Sequence, residues 1–64
     1  MIERDIWLTA NAMINQFGEE AETISATRAD GMLNLGDMEG YSVWKRVLKA
    51  IRELGSAQPD GTMN

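Results

Sequence analysis

The chemistry open to this chain is bounded first by what it lacks, since its 64 residues include no cysteine and no histidine. Without cysteine there is no thiol nucleophile, no disulfide and no thiolate metal site. Without histidine the commonest metal ligand and the usual general base near neutral pH are both gone. Carboxylates remain, but Asp37, Met38 and Glu39 do not make a calcium loop, which needs alternating acids at several positions and a distal glutamate. Gly36 and Gly40 have the spacing of a small-residue helix contact, yet that device works in apolar membrane helices. No glycine-rich phosphate loop or nucleophile elbow is present. A chain of this length also offers little room for a pocket of about 300 Å³. The expectation is a protein that is not an enzyme, with no cofactor and no metal site.

Two charged clusters invite binding rather than reaction. Lys45, Arg46, Lys49 and Arg52 are candidates for contact with an anion or nucleic acid, because Lys45, Lys49 and Arg52 repeat at helical spacing on one side. A basic third helix has a counterpart in helix-turn-helix DNA readers. The solvated face of any amphipathic helix has the same pattern, and Glu39 and Glu53 dilute this one. Ten acids against six bases give a net charge of −4, which disfavours nonspecific affinity for nucleic acid. Glu19, Glu20 and Glu22 have two readings as well. They complement a helix dipole and repel aggregation, or they act as an acidic decoy for a basic protein.

Three further positions stand out. Arg28 falls inside the apolar stripe of its segment, and a guanidinium there must be paired or hydrogen-bonded. Its expected partners are Asp37, an acid of the first segment, or helix-end carbonyls; the alternative is an anionic ligand. Trp44 sits mid-stripe and is expected in the core. Trp7 lies at a stripe edge beside Leu8, which points away. With Ile2, these two form a candidate subunit contact, the other reading being packing at the rim of a monomer.

Periodicity supplies the elements that must carry these residues. Segment one spans about Glu3 to Phe17, with Ile6, Trp7, Ala10, Met13, Ile14 and Phe17 in an arc of about 120°. Gly18 ends it. Segment two spans about Glu19 to Leu35, with Ala21, Ile24, Ser25, Met32 and Leu35 on one side and Ala29 and Leu33 at the edge. Gly31 inside it costs about 1 kcal/mol against alanine, so the helix weakens there or another backbone comes close. Gly36 is the terminator. Segment three is capped by Asp37 and runs to about Leu54 along a stripe of Tyr41, Trp44, Val47, Leu48, Ile51 and Leu54, before Gly55 stops it. The links are short, so neighbouring helices must pack together. These patterns predict an all-α fold, a compact three-helix bundle over residues 1–55, followed by a disordered tail over 56–64.

The residues Glu3-Arg4-Asp5-Ile6-Trp7, Gly18, Arg28-Ala29-Asp30, Leu35-Gly36-Asp37, Gly40, Trp44 and Arg46 are spaced as in a family of small uncharacterised bacterial proteins, a domain of unknown function met mainly in alphaproteobacteria. The chain resembles that family over about residues 3 to 54. It departs at Phe17, where the family often has histidine, and at Gly31, where alanine or a similar residue is usual. The resemblance implies a small helical domain and brings no reaction with it.

Neither a secretory leader nor a membrane span is visible: the longest apolar runs are Ile6-Trp7-Leu8 and Ala12-Met13-Ile14, against about 20 residues for a span. The expectation is a soluble cytoplasmic protein. A core this thin gains from a second copy. The sequence thus points to a small interaction domain whose partner is another protein, including a copy of itself, with no membrane contact. Nucleic-acid binding through the basic residues of segment three is the alternative, beside the acidic decoy.

Overall fold

A computed structural model describes residues 2–56. Every described residue except Ile2 and residues 35–37 is helical. The all-α class holds. The elements are α1 (Glu3–Phe17), a 3-10 turn (Gly18–Glu20), α2 (Ala21–Asn34) and α3 (Met38–Ser56).

Helix α1 begins without a side-chain cap. Ile2 is extended (φ −84°, ψ 166°) and its carbonyl accepts from the Asp5 and Ile6 amides, at 3.0 and 3.2 Å. Glu3 and Asp5 in the first turn stabilise the exposed amides through the dipole instead. The other end corrects the expected bundle. Gly18 does take a positive φ, 58°, but its ψ is −125°, far from the left-handed helical value of about +47°. Its amide still bonds the Ile14 carbonyl, and the Ala21 amide bonds the Gly18 carbonyl. The chain therefore re-enters a helical turn at once. No loop separates the first two segments, so residues 3–34 form one uninterrupted helical run with a break in its axis. Counted by continuous runs there are two helices, not three.

The second junction is sharp. The Gly36 amide bonds the Leu33 carbonyl at 3.0 Å, and the Asp37 amide bonds the Met32 carbonyl at 2.9 Å. With Gly36 at φ 79°, this is the Schellman arrangement that satisfies orphan carbonyls at a helix end. Asp37 then starts α3 directly: its Oδ1 accepts from the Gly40 amide at 2.8 Å and its carbonyl from the Tyr41 amide at 3.0 Å. That is the expected N-cap. A β-carbon at Gly40 would lie 2.8 Å from Asp37 Oδ2 and from Met32 Sδ, so the cap needs glycine there.

Gly55 does not stop α3, which continues through it to Ser56; among the described residues positive φ occurs only at Gly18 and Gly36. Glycine permits a helix end but does not impose one. Gly31 does not interrupt α2 and receives no other backbone, since the space around it is open, which leaves its cost in helix propensity. The expected tail lies outside the described residues from residue 57 onward, and its first residue, Ser56, is helical.

The core joins Ile6, Ala10 and Met13 of α1 to Ala21 of α2 and Val47, Ala50 and Ile51 of α3. Alanines at the contact let helix axes approach closely. No aromatic side chain is fully buried; Trp7, Phe17 and Trp44 flank the cluster half-buried. Trp44 is thus a wall of the core rather than its centre.

Candidate protein-interaction surface

Helix α1 covers only part of the α2–α3 pair. Glu3, Ile6 and Trp7 border one groove with Arg46, Lys49, Ala50 and Glu53. Asn11 and Ile14 border a second with Ile51, Leu54 and Gly55, beside the break at Gly18. Both place α1 against the C-terminal half of α3. The Arg52–Glu22 contact sets α2 antiparallel to α3, with Glu22 beside the C-terminal end of α3. The hairpin turn, residues 35–37, thus lies at the end away from the Gly18 break.

Burial follows this division. No residue from 30 to 46 is buried, although the stretch contains Met32, Leu33, Leu35, Met38, Tyr41, Val43 and Trp44. Leu35 is 80% exposed, Met38 58% and Leu33 44%. Leu35 was expected on the packed side of α2 with Leu33 at its edge, and neither is covered. The reason is geometric: two residues along a helix turn through about 200°, so Leu33 and Leu35 face nearly opposite ways and no one helix packed along α2 covers both. That spread was readable in the sequence and is the signal that would have found this surface.

The residues of the expected contact at Ile2, Trp7 and Leu8 differ in exposure. Trp7 packs against the core, and its Nε1 donates to Glu3 Oε2 at 3.0 Å. Leu8 lies about 100° further round the helix. Leu8 and Ile2 are both exposed, at 58% and 61%.

Arg28 also departs from expectation. Among the described residues no carboxylate lies within ion-pair distance of it, and Asp37 is occupied with its cap. Its guanidinium carbon instead sits 5.2 Å from the Trp44 ring centroid and 5.9 Å from that of Phe17. Nη1 lies 3.9 Å from Met13 Sδ, a weak acceptor. Two aromatic faces attract the cation through their quadrupoles and hold the planar group in place. Arg28 is exposed despite its position in the stripe. Its methylene stem covers the core edge.

The four basic residues of α3 meet different neighbours. Arg52 Nε bonds Glu22 Oε1 at 3.2 Å. Lys45 Nζ lies 5.9 Å from the Tyr41 ring centroid. Arg46 and Lys49 border the first groove, of about 220 Å³, together with the carboxylates of Glu3 and Glu53. The second groove, about 630 Å³, exceeds the size expected of so short a chain. It is an open trough along the α1–α3 seam whose polar wall is Asn11, Glu19 and Glu22. It brings no nucleophile beside a base. Among the described residues no group of three potential ligands could hold a metal ion, and no helix is long and apolar enough to cross a membrane.

No protein-family model, curated protein or solved structure matches the chain.

Proposed function

We propose that this chain is a protein-interaction domain without chemistry of its own, and that the far end of the α2–α3 hairpin is where it binds. The observation that carries this reading is the unburied stretch 30–46 with Leu33, Leu35 and Met38 exposed at one turn. Apolar side chains gathered at one place are characteristic of binding surfaces, whereas isolated ones are ordinary. The placement among small alphaproteobacterial helical proteins, and a cytoplasmic setting, belong to the same proposal and add no activity.

Affinity capture from native cells with the intact chain tests it, run beside the Leu35→Glu and Met38→Glu variants. The expected result is a protein held by the parent chain and lost from both variants. Equal retention by all three would place binding elsewhere, and no retained protein, this chain included, would remove the reading.

A further inference from the structure

We infer that the face of α3 covered by α1 is also an interface between copies of this chain. With Gly18 straightened, residues 3–34 become one helix, and α1 of each copy lies on α3 of the other. The bent monomer and this exchanged dimer bury the same residues against one another and differ at one hinge.

The hinge is a single residue. Gly18 has φ 58° and ψ −125°, a combination that glycine adopts freely and other L-residues avoid. Its neighbours need little change to become helical: Phe17, Glu20 and Ala21 have negative φ and ψ of −8°, 0° and −40°. The Gly18 amide already bonds the Ile14 carbonyl, the bond a continuous helix would make. The row of core residues also crosses the break in helical step. Ala10, Met13, Phe17, Ala21, Ser25 and Ala29 follow one another at intervals of three or four, and all but Phe17 are buried. A true loop lets an apolar pattern restart at any phase, whereas here the spacing runs on as in one helix.

Direction allows the exchange. Helix α1 runs parallel to α3: Ile6 and Trp7 share a groove with Arg46, Lys49 and Ala50, and Ile14 shares one with Ile51 and Leu54. Straightened, α1 continues the line of α2 and projects about 22 Å past the start of the hairpin. A two-fold axis across the long helix near Gly18 turns the second copy end over end. The hairpin of that copy then flanks the projecting α1, and its α3 runs in the direction of α1. The order of contacts is kept, with Ile14 beside Ile51 of the other copy near the axis and Ile6 further out. A lone chain cannot hold the straight form, which would leave Ile6, Ala10 and Met13 of the core in water; a second copy covers them again. Glu19 and Glu20 of both copies lie near that axis, and like charges there favour the bent monomer. The exchange leaves the hairpin end open, so it stands apart from the binding proposed there.

Sedimentation equilibrium of the intact chain, from about 1 μM to about 1 mM, reads the dimer constant once each sample has been unfolded in urea and refolded so that α1 can exchange. The parent is expected to be mainly monomer. Gly18→Ala raises the constant at least about a hundredfold, about tenfold for each of the two hinges relieved. D-alanine at position 18 fits a positive φ and disfavours a right-handed helix, so that chain stays monomeric throughout. In dimers of labelled with unlabelled Gly18→Ala chains, isotope-filtered nuclear Overhauser contacts join Ile14 of one copy to Ile51 of the other. A Gly18→Ala chain that stays monomeric, or that circular dichroism shows unfolded at every concentration, overturns the inference. So does a dimer that forms equally with D-alanine, or one in which Ile14 meets Ile51 only within a chain. Gly18→Ala with Leu35→Glu dimerises as Gly18→Ala does; loss of the dimer there would put the contact at the hairpin end and overturn the exchange.

Discussion

Ser25 and Gly31 show how single residues set the stability of so small a core. Ser25 is fully buried and its hydroxyl has no hydrogen-bond partner. Desolvating a hydroxyl without a compensating bond costs about 1–3 kcal/mol. Ser25→Ala is therefore expected to raise unfolding free energy by about 1 kcal/mol, read from the urea midpoint at low protein concentration; a lower midpoint would mean that the hydroxyl is bonded. Gly31 sits in regular helix with open space where a β-carbon would go. Gly31→Ala should add about 0.5–1 kcal/mol by restricting the unfolded chain and favouring the helix. A destabilising result, again at concentrations where copies stay apart, would require a neighbour that the monomer does not show. The Glu22–Arg52 pair is exposed on both sides, at 50% and 62%, and long side chains in water gain little from pairing. Glu22→Gln is expected to move the midpoint by less than about 0.5 kcal/mol, and a shift several times larger would contradict the exposure seen.

At the scale of the element, the two junctions decide the architecture. Asp37 is the last residue of one motif and the first of the next, so Asp37→Ala should cost about 1 kcal/mol through loss of the cap. Gly40→Ala should cost a comparable amount, because the added carbon meets the capping carboxylate at 2.8 Å. If the cap and the glycine act through one contact, the double variant is less destabilised than the sum of the singles, and strict additivity in the same urea series would separate them. This junction was legible in the sequence: Gly36 followed by Asp37 announces a helix stop and start, and the helices on either side appear within one or two residues of their expected bounds. The extent of α1, Glu3–Phe17, was legible too. The first junction was not. Gly18 was rightly identified as a break, but whether a glycine opens a loop or a single 3-10 turn depends on ψ, which sequence does not carry. Arg28 was legible as an anomaly in an apolar stripe. Its aromatic partners were not, because Phe17 and Trp44 lie 11 and 16 positions away in the chain and meet it only once α1, α2 and α3 have packed.

For the molecule as a whole, the decisive feature is a covering helix shorter than the reach of what it covers. Helix α1 protects the C-terminal half of α3 and the start of α2, leaving Leu33, Leu35 and Met38 exposed at the hairpin's far end. The sequence reading set the candidate contact at Ile2, Trp7 and Leu8 because a stripe edge on α1 was visible, whereas the partial cover of the hairpin was not. Amide chemical shifts of the isotope-labelled chain, followed by nuclear magnetic resonance as the captured protein is added, separate the two surfaces directly. Movement confined to residues 30–46, with α1 silent, is the predicted result. Shifts centred on Ile2 and Leu8, or a spectrum unchanged at saturation, would contradict it.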